Sequence, residues 1–594
     1  MAGTVIVIGG GVGGLTVAHE MAERGYTVQL YEARPSWGGK ARSQPVPGSG
    51  SGGRRDLPGE HGFRFYPRFY THVIDTMKRI PSPIGGWVVD QLRPTTESAI
   101  ALVDRGTWYR FYRRQMKRPF EVIGALELFF QELDFDDQDI ALFTAKILEF
   151  LTTSDERRFG EYEHMSWWDF LEGDLYSENF QRQLRAVPRT MVAMDPRRGS
   201  ARTVGGVSMQ LILDYADTGV TNDRTMGGPT SEMWIDPWVT HLTTLGVSFH
   251  SGLSATSFDV AAGTISAVHL SDGSTVTGDH FVLSVPIDIA IGLISPAMGA
   301  LDPALERLRL ANPDDLVSWM VGIQYFLYED VPLVRGHTFY PDSPWALTTI
   351  SQPQFWRDLG IFRTRYGAGD VGGLISVDIS DWDKPGVFVT KPAKQCTPAE
   401  IAQEVWGQLK AGLNGTAPGE ETLTDAMLHS WHLDDDLDFS SGTPPVNNSR
   451  LLVHPPGSYD LRPEAASRIP NLVLAADYVR TSTDLASMEG ANEAARRASN
   501  AILDRDASTA TRVQLWPIKE PEGFRYAKAL DRWLFKHGRR HAFEILGIRN
   551  AARAANWLRR FERLAGFARV DDWFDDKFRV SRMARSALSL LGLG

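Results

Sequence analysis

The chain opens on Val5-Ile-Val-Ile8, a short unbroken apolar run of the kind that a strand buried on both faces requires. Gly9-Gly-Gly11-Val-Gly-Gly14 follows at once, and Leu15 to Arg24 has helical composition closed by Gly25. Val28-Gln-Leu-Tyr31 predicts a second strand ending at Glu32. Farther on, Trp234 to Gly246 predicts a helix and Val247-Ser-Phe249 starts a strand. Thr264–Leu270 predicts another strand, Ser271-Asp272-Gly273 a turn, and Val276–Val285 the returning strand. Ile469 to Ala475 is again an apolar run, with a helix expected from about Met488. Between these stretches, helices are expected over Phe120–Phe130, Ile140–Thr152 and Trp167–Leu175.

Of 594 residues, 43% are hydrophobic and 23% charged, which excludes a mostly disordered chain. A single cysteine, Cys396, excludes an internal disulfide and a multi-thiolate metal site. The net charge of −11 speaks against nucleic acid as a partner. That charge is uneven: residues 511–594 hold 18 Lys+Arg and 9 Asp+Glu, so the rest stands at −20. Twelve aromatics fall in this basic tail, and Trp557, Phe561 and Leu564 share a helical face. Docking on the acidic body and peripheral contact with a membrane surface both fit such a tail. No signal peptide or transmembrane run is expected, which points to the cytoplasm, including the inner face of the membrane.

Strand, glycine turn, helix, strand and acid within 32 residues form a dinucleotide-binding unit. Gly9 makes the tight turn, Gly11 lets the backbone approach a pyrophosphate with no Cβ in the way, Gly13 is a further cofactor-binding candidate in the same turn, and Gly14 lets the helix close on the strand. The helix start offers free N–H groups to phosphate. Glu32 accepts from ribose hydroxyls.

Glu32-Ala33-Arg34 and then Gly38-Gly39-Lys40-Ala-Arg42-Ser43 resemble the second segment of the amine oxidase/phytoene desaturase superfamily of flavoproteins. The resemblance implies an α/β fold: a Rossmann-like FAD-binding domain of the two-dinucleotide-binding-fold type, an inserted α+β substrate domain, and here a helical C-terminal appendage. It implies that Arg34 and Lys40 frame the pyrophosphate, with Arg42 beside them, and that Gly38 and Gly39 approach it closely. Gly59-Glu60-His61-Gly62-Phe63 resembles the segment that passes the flavin ring: Gly62 gives clearance, Phe63 an apolar wall, and His61 is a candidate for contact with flavin or substrate. The backbone at Ala255 would touch adenine. Ala475-Ala476-Asp477 resembles the late strand that delivers an acid to the ribityl chain or pyrophosphate. Met488-Glu489-Gly490-Ala491 would aim a helix N-terminus at the flavin pyrimidine.

On this resemblance, 1–84, 221–299 and 446–510 compose the FAD domain, 85–220 and 300–445 the substrate domain, and 511–594 the basic extension. The expected cofactor is noncovalent FAD, because Cys396 lies 81 residues before Asp477. The branch resembled is that of bacterial phytoene desaturases and hydroxysqualene dehydroxylases. It implies hydride transfer at flavin N5 that desaturates a hydrophobic, isoprenoid-like substrate, with oxygen or a quinone as acceptor, or that reductively dehydroxylates such a substrate. An amine oxidase on the same fold is the alternative. No metal is expected: Asp434-Asp-Asp436, near His429 and His432, reads as an exposed acidic loop.

Overall fold

The computed structural model describes residues 3–112, 137–216, 223–415, 421–545 and 547. The chain divides into two compact units, one of residues 1–115, 185–195 and 219–518, the other of 116–184, 196–218 and 519–594.

The first unit is built on a parallel five-stranded sheet. Its strands are β1 (Thr4–Ile8), β2 (Thr27–Glu32), β3 (Ser248–Ser251), β4 (His280–Leu283) and β5 (Leu472–Leu474), in the order β5-β4-β1-β2-β3. Val5 pairs with Val28 on one side and His280 on the other. Val5, Ile6 and Val7 are fully buried, which is why this strand has no polar alternation. Helix α1 (Val12–Ala22) leads from β1 to β2, and α2 (Met488–Arg505) follows β5. The helices are tied by Asn492, whose amide donates to Thr16 Oγ1 at 2.8 Å.

The expected return strand Val276–Val285 is two elements. Thr275–Val276 closes the small antiparallel sheet formed by Ala255–Ala261 and Thr264–Leu270, whereas His280–Leu283 leaves that hairpin and enters the parallel sheet as β4. Gly278 separates them, and the apolar Phe281-Val-Leu283 that follows is wanted between β1 and β5 more than on a half-exposed hairpin.

A second, seven-stranded sheet of this unit runs in the order Leu428–Leu433, Val321–Leu327, Gly373–Ile379, Leu347–Ser351, Gly336–Phe339, Glu97–Leu102, Thr107–Tyr112. All neighbours are antiparallel except Gly336–Phe339 and Glu97–Leu102. Helix Pro398–Leu413 belongs to the same core, with Tyr325 donating to the Ala402 carbonyl at 2.7 Å. Cys396 is buried in that core, and burial pushes its thiol up to about 11.

The second unit is helical. Asp137–Thr152 covers the predicted Ile140–Thr152, and the predicted Trp167–Leu175 stops at Leu171, because Glu172 takes a left-handed φ of 56° before a short 3-10 turn. Helix Arg525–Lys536 belongs to this unit, and its Asp531 is 1% exposed. That carboxylate accepts from Arg157 Nε (2.8 Å), Ser154 N (2.9 Å) and Ser154 Oγ (2.7 Å). The beginning of the basic tail is thus docked by a buried acid. Phe120–Phe130 and the Trp557, Phe561, Leu564 face lie outside the described residues. Among the described residues, no helix is long and apolar enough to cross a membrane.

Candidate functional site

β1 runs straight into the glycine turn. Gly9 has φ +106°, and a Cβ there would stand 2.2 Å from the Ser284 carbonyl oxygen. A Cβ on Gly13 would meet the Ala475 oxygen at 1.9 Å, and one on Gly14 the Gly9 oxygen at 1.9 Å. Gly11 differs: the nearest heavy atom to its added Cβ is Gly39 Cα at 3.9 Å. Among the described residues, no other atom beyond its chain neighbours comes within 3.9 Å of that position, and α1 starts beside it with no side chain capping its first N–H groups. An open cradle at an uncapped helix start suits a pyrophosphate.

Glu32 ends β2 beneath this turn. One carboxylate oxygen accepts from Gly10 N at 2.7 Å and the other from Arg34 N at 2.9 Å, so the acid braces the turn and keeps lone pairs for ribose hydroxyls. Ala33 beside it is exposed. Gly38, at φ +100°, donates to the Gly10 carbonyl at 2.8 Å. Gly39 lies so close to Gly11 that a Cβ would come 3.1 Å from Gly11 Cα.

The three cations of this segment are placed differently. Arg42 donates to Asp436 Oδ1 at 2.7 Å and to the Gly39 carbonyl at 2.8 Å. Arg34 reaches the Asn448 carbonyl and Ser449 Oγ, each at 2.9 Å, and Asp436 at 3.3 Å. Lys40 instead acts on Asp477: burial raises that carboxyl, while Lys40 and Arg462 oppose the rise. Among the described residues, Lys40 is the one of the three whose side chain is not hydrogen-bonded to Asp436 or to residues 448–449.

Helix α2 is capped by Ser487, whose Oγ accepts from Gly490 N at 3.1 Å, and a Cβ on Gly490 would come 2.4 Å from the Leu485 oxygen. Met488 and Ala491 are half-buried in its first turn. The Glu489 side chain faces another way. It accepts from Thr71 N (2.7 Å), His72 N (2.8 Å), Val73 N (2.9 Å) and His72 Nδ1 (2.7 Å), capping the helix His72–Met77, so only its main chain remains for a cofactor. Ala255, half-buried, opens the strand Ala255–Ala261.

The segment Gly59–Phe65 carries the other half of the site. Glu60 is buried; its carboxylate accepts from Ser43 Oγ at 2.7 Å and Thr230 N at 2.8 Å, and burial raises it against the pull of Arg64. Phe63 lies 5.0 Å from the His337 ring. His61 pairs through Nδ1 with Asp434 Oδ2 and lies 3.9 Å from Asp436. Asp434 also accepts from Gln44 Nε2 at 2.7 Å and Asp436 N at 2.9 Å. Burial works to raise Asp434, but the His61 charge and hydrogen bond overcome it and hold the carboxyl below its ordinary range.

The acidic run is therefore not an exposed loop. Asp434 is 2% and Asp436 7% exposed, and only Asp435 points outward. The chain leaving strand Leu428–Leu433 turns alternate carboxylates inward, where His61, Gln44, Arg34 and Arg42 receive them. Ligand atoms of His61, Asp434 and Asp436 fall within 4.8 Å of one another, yet the two arginines already balance Asp436. His429 and His432 do not join this cluster: His429 faces Asp370, and His432 packs on Gly59.

One acid that sequence reading passed over stands beside this segment. Asp378 lies in strand Gly373–Ile379, opposite Gly322 and Thr348. A Cβ on Gly62 would come 2.6 Å from its Oδ1, which accepts no hydrogen bond. Burial, aided by Asp434 and opposed by Arg64, pushes it up to about 7. The signal was available: an aspartate inside Leu374-Ile-Ser-Val-Asp-Ile379 is a poor strand residue with no reason to be buried unless used.

Comparison with known proteins agrees with this geometry. A family model for flavin containing amine oxidoreductases matches residues 12–503. Carotenoid phi-ring synthase of Chlorobaculum tepidum is 41% identical over 66 residues, which is 11% of this chain and 10% of that protein. The chain thus spans only a tenth of that curated relative. Among solved structures, cyclohexylamine oxidase from Brevibacterium oxydans shares 14% identity at a TM-score of 0.54, over 85% of this chain and 100% of that one. An oxidoreductase from Methanosarcina mazei shares 12% at 0.54, over 83% and 98%. Such identities speak to fold alone. The chain belongs to the flavin containing amine oxidoreductase family and is an FAD-dependent oxidoreductase.

Proposed function

We propose that the chain dehydrogenates a hydrophobic, isoprenoid-like substrate, with FAD held noncovalently. The observation that supports the substrate class is the 66-residue match, 41% identical, to a protein named carotenoid phi-ring synthase, whereas the likeness to amine-oxidising structures, 12–14% identical over 85% of this chain, speaks to fold alone. Cys396 supports noncovalent binding, because it is buried in the core of the seven-stranded sheet.

Bound flavin supplies a hydride acceptor. Gly11, the α1 N-terminus and Lys40 would hold its pyrophosphate, Glu32 its adenosine ribose, Ala255 its adenine through the main chain, and Asp477 the ribityl side. The α2 start at Met488–Ala491 would favour negative charge on the reduced ring. His61, fixed by Asp434, and Phe63 would border the reacting carbon. Oxygen or a quinone would complete the cycle.

A hydrocarbon substrate fits an enzyme that works against a membrane surface. On helix Arg525–Lys536, Tyr526 is 52% and Trp533 54% exposed, with Arg525, Arg532 and Lys536 along the same helix, a combination suited to peripheral contact with the anionic cytoplasmic leaflet.

The test is anaerobic mixing of the flavin-loaded protein with isoprenoid hydrocarbons and alcohols, fatty acyl lipids and simple amines. Bleaching of the oxidised flavin band by isoprenoids is expected. Rapid bleaching by amines alone, with aldehyde and peroxide on admission of oxygen, would instead establish the amine oxidase alternative.

A further inference from the structure

Asp378 has no structural employment equal to its cost. It sits in the middle of a sheet whose neighbouring residues Val377 and Ile379 are fully buried, and the residues opposite it, Gly322 and Thr348, offer it no ion pair. Its Oδ1 is buried and, among the described residues, accepts no hydrogen bond. A carboxylate left so costs several kcal/mol when ionised, and native cores seldom keep one without a use. Its place is also particular. Gly62, whose missing side chain gives Oδ1 its room, follows His61 in the segment that borders the flavin by resemblance. The charged groups that act on it come from two directions: Arg64 from the Gly59–Phe65 segment, and Asp434 from the chain beyond strand Leu428–Leu433. Asp434 is itself committed to His61 and Gln44, so it is not the group that exchanges protons.

We propose that Asp378 is the proton-exchanging catalytic carboxyl of the flavin chamber. This rests on the dehydrogenase reading above. When a substrate C–H bond breaks and its electron pair leaves as hydride to oxidised flavin, the adjacent carbon must lose a proton. The electron pair of that second C–H bond forms the new C=C bond, and Asp378 carboxylate takes the proton. The substrate loses one hydride and one proton; the flavin gains two electrons and one hydrogen; the carboxyl is neutral until the proton passes to solvent. A carboxyl poised near neutrality is suited to both halves of that cycle.

The test needs no substrate. Flavin-loaded protein labelled with 13C-aspartate is titrated by infrared difference spectroscopy, oxidised and after dithionite reduction, as wild type and Asp378→Asn. In the oxidised wild type, one protonated-carboxyl band should disappear with a midpoint near pH 7. It should be missing from Asp378→Asn. Reduction places negative charge on the flavin ring, so a carboxyl in the chamber should hold its proton at least tenfold more tightly, and the midpoint should rise by a pH unit or more. Asp378→Ser, smaller than aspartate, replaces the asparagine variant if the latter loses flavin colour. A band that persists in the variants, or a midpoint indifferent to flavin reduction, overturns the proposal. Failure of the isoprenoid reading would appear separately, as bleaching by amines and not by isoprenoids.

Discussion

Gly11 and Gly13 stand two residues apart in one motif, and their alanine variants should fail for opposite reasons. An alanine at 13 puts a methyl 1.9 Å from the Ala475 carbonyl oxygen, a backbone atom that cannot swing away. The clash forces α1 off β5, and overpacking of this kind costs about 1–3 kcal/mol or more. The gain of roughly 1 kcal/mol from replacing a helical glycine offsets part of it at most. At Gly11 the same methyl meets nothing nearer than 3.9 Å, so the protein without flavin should be as stable as wild type within about 0.5 kcal/mol. What it loses is the place of the pyrophosphate. Gly11→Val fills that space further. Thermal unfolding of flavin-stripped and FAD-reconstituted samples separates the two effects. Wild type should gain about 2.7 kcal/mol at a hundredfold excess of FAD over its dissociation constant. Gly11→Val should gain nothing while its stripped form unfolds as wild type does, and stripped Gly13→Ala should already be destabilised. Wild-type FAD binding in Gly11→Val would refute the assignment of the cradle.

Three further outcomes follow from the same geometry. Asp531→Ala leaves Arg157, 3% exposed, without its buried partner and should destabilise the helical unit by about 3–5 kcal/mol in urea unfolding. Glu32→Ala should lower FAD affinity about tenfold or more, read by fluorescence quenching, since a charged acceptor for ribose is worth about 1.5–3 kcal/mol. The third is pH dependence. Asp378 binds its proton more tightly folded than unfolded, with an ordinary value of 3.8 raised to about 7. Stability should therefore fall as pH rises between those values, by about 4 kcal/mol in all at ~1.4 kcal/mol per pH unit. Asp378→Asn should remove that slope and be the more stable form, relative to wild type, at pH 8; an unchanged slope would contradict the assignment.

The glycine turn and the acid after it were legible because they announce themselves locally. Gly9 to Gly14 need no partner to be read, and Glu32 follows at the spacing a strand–helix–strand unit dictates. The chamber half was not, because its meaning is tertiary. Asp434 and Asp436 look like a solvated acidic run until the strand before them turns alternate side chains toward His61, Arg42 and Gln44. Arg34 and Glu489 fit their motifs by type, but their side chains answer to Ser449 and to the His72–Met77 helix, pairings more than 400 residues apart in sequence. The misread return strand has the same cause: a short apolar run after a hairpin, Phe281-Val-Leu283, is claimed by whichever sheet has a vacant slot, and here that is the slot between β1 and β5. The tail divides likewise: its first helix is docked through the buried Asp531, through Arg532 on Glu156 and through Phe535 under Arg157, contacts that no local pattern announces.

The account as a whole meets its most direct test in product analysis after a single anaerobic turnover. Flavin-loaded protein is mixed with an excess of a C30 or C40 isoprenoid in detergent, quenched when bleaching stops, and extracted for mass spectrometry. The prediction is a product lighter by two hydrogens, formed in an amount equal to the flavin bleached. Bleaching by an amine with aldehyde as the matching product, and no change in any isoprenoid, would contradict it.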